Sequence, residues 1–279
     1  FASPTSGSEN VALSKITGTP KAAVFMMGSG LTAPSSAADV RLGFGFTDGT
    51  TNRGIGVYDK DTTSPTDTSR RHAAEACVYA VTTGVIEEFS CAFSAGDLDL
   101  TYSTTWGGAA LYSALVFDCE AAAVVEQAAG SSTGLIDVTG AGMRPDGAII
   151  IGIGNNNALP NTNTAARFSI GFVNRRGQQV CLAGGAADNV ATTNTRASLW
   201  DNRCIVRYNN TPSSGSVEEF SFVGFTADGC RLNCTKASAD TRWFFLFLKG
   251  IDIGIQTFAQ PTSTGVQYVT GARPRPQAG

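Results

Sequence analysis

The sequence predicts an all-β protein: two tandem homologous antiparallel β-sandwiches of jelly-roll type, then a C-terminal strand and an Arg/Pro tail. Three observations carry this. One phrase recurs three times along the chain. Short apolar runs with a period of two alternate with clusters of Gly, Ser, Asn and Thr. No long stretch shows a helical period.

The recurring phrase is a Ser/Thr/Gly turn, a short alternating apolar run, a proline and a small apolar residue. It opens the chain as FASPTSG (residues 1–7) followed by VALSKITGTPKAA (residues 11–23). It returns as GSSTGLIDVTGAGMRPDGA over 130–148 and as FAQPTSTGVQYVTGARPRPQA over 258–278. Between the copies the order holds. Pro20 matches Pro145, residues 41–46 match 167–172, and Thr66, Asp67, Thr68 and Arg70 match Thr193, Asn194, Thr195 and Arg196. Cys77 matches Cys204, the Glu87-Glu88-Phe89-Ser90 run matches Glu218-Glu219-Phe220-Ser221, and Ser132 matches Ser263. The offset drifts from 125 to 131 only in Gly/Ser/Asn/Thr-rich stretches, where loops accept insertions. A period of roughly 130 exceeds the ~20–50 residues of solenoid repeats and is the length of a domain. The expected division is 1–126, 127–257, and 258–279 for the start of a third repeat. Residues 1–7 match 258–265, so the chain is expected to start partway along a repeat boundary, with a removed piece or further repeats upstream.

Taken in order, the first unit has apolar runs at 22–27, 40–46, 55–58, 77–81, 89–93, 98–102 and 111–117. Val40, Leu42, Phe44 and Phe46 alternate with Arg41, Gly43 and Gly45, so one face is apolar and the other small or polar. Asp48-Gly49 closes that run as a turn. The second unit repeats the set at 148–153, 167–173, 180–183, 204–208, 220–225, 230–234 and 243–248. Eight or nine strands per unit with Gly-rich turns describe a sandwich, not βαβ units. Residues 70–80 are read as strand after a loop. Residues 121–129 are read as strand, a short alanine-rich helix being the competing reading, with 252–260 as their extended counterpart. The strand expected at 266–270 has no unit after it. Either it closes the second sandwich, in the place residues 135–138 take beside the first, or it adds to a neighbouring subunit. Arg273, Pro274, Arg275 and Pro276 cannot continue a ladder.

Composition narrows the function. The chain is 42% hydrophobic and 15% charged, with net charge −3 and no basic block, which argues against a nucleic-acid surface. Arginine outnumbers lysine 15 to 5, a bias seen at protein–protein interfaces. No apolar run nears the ~20 residues of a membrane helix. The cysteine count of seven is odd, which argues against a complete disulfide framework. Cys77 and Cys204 sit in apolar runs and read as core residues; Cys230 and Cys234 lack further zinc ligands nearby.

Catalytic signatures are sparse. His72 is the only histidine, stands beside two arginines and reads as a surface or loop residue. The best acids are Glu87-Glu88 and Glu218-Glu219. Neighbours on a strand point to opposite faces, so neither pair flanks one sugar ring, and one member of each is expected to face solvent or an interface. Gly28-Ser29-Gly30 lacks the helix of a phosphate loop. Asp59, Asp61 and Asp67 sit in a loop rich in oxygens of the kind that hold calcium, but the second unit keeps only Asp188 and Asn194 and has Ala186 in place of Asp59. Asn209 and Asn233 match the glycosylation pattern. Of the tryptophans, Trp243 reads as core, and Trp106 and Trp200 as candidates for exposed sugar-stacking rings.

The run Pro145-Asp146-Gly147-Ala148-Ile149-Ile150, residues 45–49 (GFTDG), Thr66-Asp67-Thr68 with Arg70, and Glu219-Phe220-Ser221-Phe222 followed by Ala227-Asp228-Gly229 resemble tandem-repeat virion proteins of tailed bacteriophages. The first unit departs at Ala95-Gly96-Asp97, where the Asp–Gly order is reversed. The resemblance implies a lectin-like or jelly-roll sandwich on the outer surface of a phage particle. The expectation is a non-enzymatic virion protein: capsid decoration, cement or head fibre. Its partners would be the major capsid protein or other virion proteins and further copies of itself, with no catalytic, cofactor or metal residues, no nucleic acid and no membrane. The alternative is a tail-fibre or adhesin module that grips a host glycan.

Overall fold

The computed structural model describes residues 7–16, 18–28, 39–60, 63–82, 85–104, 111–154, 158–238 and 241–258. The expected strand at 266–270 and the Arg/Pro tail lie outside them, as do Asp61 and Trp106.

The first strands are β1 (Ser8–Ala12), β2 (Ala22–Met27), β3 (Val40–Thr47), β4 (Asn52–Asp59) and β5 (Thr68–Ala73). Next come β6 (Cys77–Thr82), β7 (Val85–Ser94), β8 (Asp97–Thr104), β9 (Tyr112–Phe117) and β10 (Ala121–Ala128). Then follow β11 (Gly134–Thr139), β12 (Gly147–Gly152), β13 (Asn161–Thr164), β14 (Ala166–Asn174) and β15 (Gln179–Ala186). The last are β16 (Thr195–Trp200), β17 (Ile205–Tyr208), β18 (Ser216–Thr226), β19 (Gly229–Lys236) and β20 (Arg242–Lys249).

The protein is all-β and antiparallel, as the period-two runs predict. Four sheets form, in the orders β1-β8-β7-β6, β13-β5-β4-β3-β2-β9, β10-β20-β12-β14-β15-β16 and β11-β19-β18-β17. Within the sheets β2–β5, β6–β8, β14–β16 and β17–β19 run as meanders, and the chain crosses between sheets at β1–β2, β5–β6, β8–β9, β16–β17 and β19–β20, as a sandwich requires. Under the sequence offset β2 falls on β12, β3 on β14, β7 on β18, β8 on β19 and β9 on β20, and the sheet orders correspond.

The four sheets stack as layers. Phe25, Met27, Tyr79, Phe89, Leu98, Leu100 and Tyr112 form the core between the first four-stranded sheet and its six-stranded neighbour. Ile150, Phe220, Phe222, Leu232, Trp243, Phe245 and Phe247 do the same on the other side. The two six-stranded sheets then face each other through Val24, Phe44, Phe46 and Ile55 on one side and Ile149, Ile151, Phe244, Leu246 and Leu248 on the other. This middle layer explains why GAIIIG of β12 and WFFLFL of β20 are continuous apolar runs: a strand buried on both faces has no polar side to alternate. Trp243 through Leu248 are each at most 2% exposed. Burial on that scale is worth about 1.5–3 kcal/mol per large side chain.

Glycine admits the close layer contact. Gly45 of β3 and Gly171 of β14 hold matching places, and a Cβ there would strike the carbonyl oxygens of Ala76 and Cys204 respectively.

Three local expectations change. Residues 70–80 are two strands, β5 and β6, with a bend at 74–76, because the chain crosses there from the six-stranded to the four-stranded sheet. Residues 135–138 do not lie beside the first unit. β11 pairs with β19, with Ile136 and Val138 turned into the core there and Asp137 meeting Arg231 at 2.6 Å outside. Residues 121–129 are strand for most of their length, and β10 crosses the expected boundary at 126–127 to pair with β20. Of their counterpart, residues 252–258 are described and make no ladder among the described residues.

Candidate functional site

The conspicuous acids are structural. Glu87 is 1% exposed, Glu88 4%, Glu218 0% and Glu219 6%, so the expectation that one of each pair faces solvent is corrected. Alternation does send neighbours to opposite faces, but both faces are covered. Glu218 points inward. Arg207 Nε–H donates to its Oε2 at 3.0 Å, and Trp243 Nε1–H to its Oε1 at 3.2 Å. Burial pushes the Glu218 carboxyl up, against the pull of Thr241, Arg207 and Trp243. Glu87, the counterpart, accepts a short hydrogen bond from the Tyr112 hydroxyl. Glu88 takes a bidentate pair from Arg71 at 2.5 and 2.9 Å. Glu219 is bound by Lys236 at 2.8 Å and Arg203 at 3.3 Å. Burial alone would raise its carboxyl, but Lys236, Ser216 and Arg203 bring it below the usual range.

His72 is not a surface or loop residue. It lies in β5, is fully buried, and its ring centroid is 6.0 Å from that of Phe244 in the facing sheet. Neither ring nitrogen has a partner among the described residues. Burial, with Arg242, Arg70, Arg71 and Arg53 nearby, brings its pKa down to about 4. A neutral imidazole without a donor or acceptor partner positions nothing for proton transfer.

Sequence reasoning missed a set of buried arginines. Arg70, Arg167 and Arg207 are each 5% exposed. Arg70 donates to the carbonyls of Thr164 and Ala165, and Arg167 to those of Gly154 at 3.0 Å and Tyr208 at 3.4 Å. Burial, then Arg167 and Arg207, pull Arg70 down to about 8. The legible signal was an arginine inside an apolar strand, Arg207 in IVRY. Arg70 and Arg167 tie backbone carbonyls of neighbouring segments together, and Arg207 pairs with Glu218.

The remaining candidates disperse. Asp188 Oδ1 accepts from Thr68 N–H at 2.8 Å, and Thr66 exchanges backbone bonds with Asn189 and Val190, so the two aspartate-bearing loops clasp each other. Among the described residues no group of His, Cys, Asp and Glu could hold a metal. All seven cysteines are buried and free. Asn233 lies within β19, paired on both sides, while Asn209 is exposed. Trp243 is core. Trp200 is half-buried, packed against Cys181, Ala183, Val206 and Tyr208, with its indole N–H donated to Ser198 Oγ at 2.7 Å.

Open grooves among the described residues include the following pair. One, of 470 Å³, lies among Arg144, Asp146, Arg175, Phe222 and Phe225. The other, of 310 Å³, runs between the six-stranded sheets and is lined by Leu42, Val57, Ala166, Phe168, Ala186 and Arg196. Neither gathers paired acids or a nucleophile with its base. The larger exposed apolar residues include Met26 (45%), Leu115 (53%), Leu182 (43%) and Leu199 (63%). Leu115 stands opposite Val24, and Leu182 and Leu199 follow Ile170 across the ladder, so all three share the faces that carry the middle core. Comparison of the chain with protein-family models, curated proteins and solved structures finds no match.

Proposed function

We propose that the chain is a non-enzymatic structural protein of a bacteriophage virion, working as a capsid decoration, cement or head-fibre component. One observation carries the reading: the acids, imidazole and thiols that could do chemistry are held in core contacts, whereas what is offered outward is apolar sheet face. Leu115, Leu182 and Leu199 continue the middle core beyond the reach of the opposing sheet. Such margins suit work by surface burial, and a stable contact of that kind covers ~1,200–2,000 Å². The phage-like phrases at 45–49, 145–150 and 219–229 supply the setting, and the duplicated strand order supplies two similar units to span neighbouring capsomers.

The test is saturable binding of the purified chain to phage capsids stripped of accessory proteins, measured beside binding to host cells and host polysaccharide. Capsid binding that raises resistance of the particle to heat is expected. Binding to host glycan with none to capsids would move the chain to a tail fibre, and turnover of the polysaccharide would make it an enzyme.

A further inference from the structure

β20 and β9 stand in matching places of the two six-stranded sheets and are finished differently. β20 carries β10 along its whole length, from Ala121 opposite Lys249 to Ala128 opposite Arg242. Backbone bonds extend the ladder at both ends, Glu120 N–H to Lys249 O at 3.0 Å and Ala129 N–H to Thr241 O at 2.8 Å. β9 stands on β2 as β20 stands on β12, with Phe117 opposite Ala22 where Leu248 is opposite Gly147. Among the described residues no strand lies on the far side of β9. Ser113 and Ala114 are exposed, and Leu115 is 53% exposed where its counterpart Leu246 is fully buried.

A counterpart of β10 is present in the chain. The offset of 131 that carries Phe117 to Leu248 carries residues 121–127 to 252–258. That segment alternates Ile251, Ile253 and Ile255 with more polar neighbours. Its root is fixed: Arg176 pairs with Asp252 at 2.6 Å, and Asn174 Nδ2–H donates to Ile253 O at 2.8 Å. Beyond the root Gly254, Gln256 and Thr257 are exposed, and Phe258 is 62% exposed. An uncovered edge is a template for a strand from another chain, and strand addition takes affinity from main-chain bonds and specificity from alternate side chains.

We infer that the β9 edge of one copy takes residues 254–258 of a second copy, which lie beyond the root held at Ile253, as an added antiparallel strand. The register of β10 on β20, transferred, sets Ile255 opposite Leu115, Gln256 opposite Ala114, Thr257 opposite Ser113 and Phe258 opposite Tyr112. Ile255 then lies beside Leu115 on the same face and covers it. The donor is a second copy because, within one chain, the segment is tied to the turn after β14 and pairs with nothing among the described residues. The contact joins two different patches, so it closes by mutual exchange in a dimer or around a ring. It is a property of the chain alone and stands or falls apart from any capsid.

The test is sedimentation velocity of the full chain over a wide concentration range. A species heavier than one chain is expected, reduced to single chains by Ile255→Pro, which removes a ladder N–H outside every strand, and by Leu115→Lys on the acceptor. The double variant Ala114→Cys with Gln256→Cys is expected to form a disulfide between chains on oxidation, the native cysteines being buried. Single chains at every concentration, assembly unchanged in Ile255→Pro with unaltered circular dichroism, or a disulfide confined to one chain would each overturn the inference.

Discussion

β20 and β9 hold the same place in two matched sheets, yet one is buried along nearly its whole length and the other forms a margin. Around β20, Phe244, Leu246 and Leu248 fill the middle layer, Trp243 reaches Glu218, and β10 closes the edge. Around β9 the equivalents are Ser113, Leu115, Phe117 and Tyr112, the last bonded to Glu87. The ladder on the inner side is the same. What differs is whether an adjoining segment crosses over to cover the outer side. Repeating a strand order therefore does not repeat the burial of its edge.

The largest contrast is expected at the buried acids. Glu218→Gln leaves Arg207, 5% exposed, without its counter-charge, and breaking a buried pair costs about 3–5 kcal/mol. Glu87→Gln keeps an oxygen for the Tyr112 hydroxyl and should cost about 1 kcal/mol. Urea unfolding of the two variants gives the order; a larger loss at Glu87 would break the comparison.

Next come the matched leucines. Leu246→Ala opens a cavity in the middle layer and should cost about 2–5 kcal/mol, whereas Leu115→Ala should stay within about 0.5 kcal/mol in the single chain. Thermal unfolding at low concentration reads both. Equal losses would mean that the β9 face is already covered.

Then comes acid sensitivity. His72 packs on Phe244, faces Arg53, Arg70, Arg71 and Arg242, and lies near Glu126, which bridges Arg53 and Arg242. Its pKa falls from 6.5 unfolded to about 4 folded. The unfolded chain thus takes up the proton first. The stability from keeping the ring neutral is complete above pH 6.5 and drains as pH falls toward 4, by up to about 3 kcal/mol. The second half has Leu199 at this place, and His72→Leu should flatten that part of the pH–stability curve. A wild-type curve already flat between those pH values would contradict the burial of the ring. At the layer contact, where an added Cβ would meet the Cys204 carbonyl oxygen, Gly171→Ala should cost about 1–3 kcal/mol through overpacking, read by urea unfolding; an unchanged stability would contradict the close approach.

Much of this fold was legible in the chain, since every long apolar run became a strand and the alternation at 40–46 became β3. The stacking of the six-stranded sheets was not read, although its sign was present in the unbroken apolar runs of β12 and β20. The misreading of His72 follows from that omission, whereas the Glu pairs are covered by partners inside each sandwich, Arg207 and Trp243 at Glu218 and Arg71 at Glu88. Two arginines beside a histidine look like surface in isolation, and only the facing sheet makes the position a core. The place of Arg207 in the apolar run IVRY marked it as buried, but its partner Glu218 lies across a ladder, and local sequence does not say which carboxylate meets which guanidinium.

Amide hydrogen exchange along β9 and β20, followed as protein concentration is raised, tests the contrast most directly. β20 should exchange slowly at every concentration, while the outward amides of β9 exchange fast in dilute solution and slow down as copies associate. Equal protection of the two strands in the most dilute sample, or β9 exchange indifferent to concentration, would contradict the account.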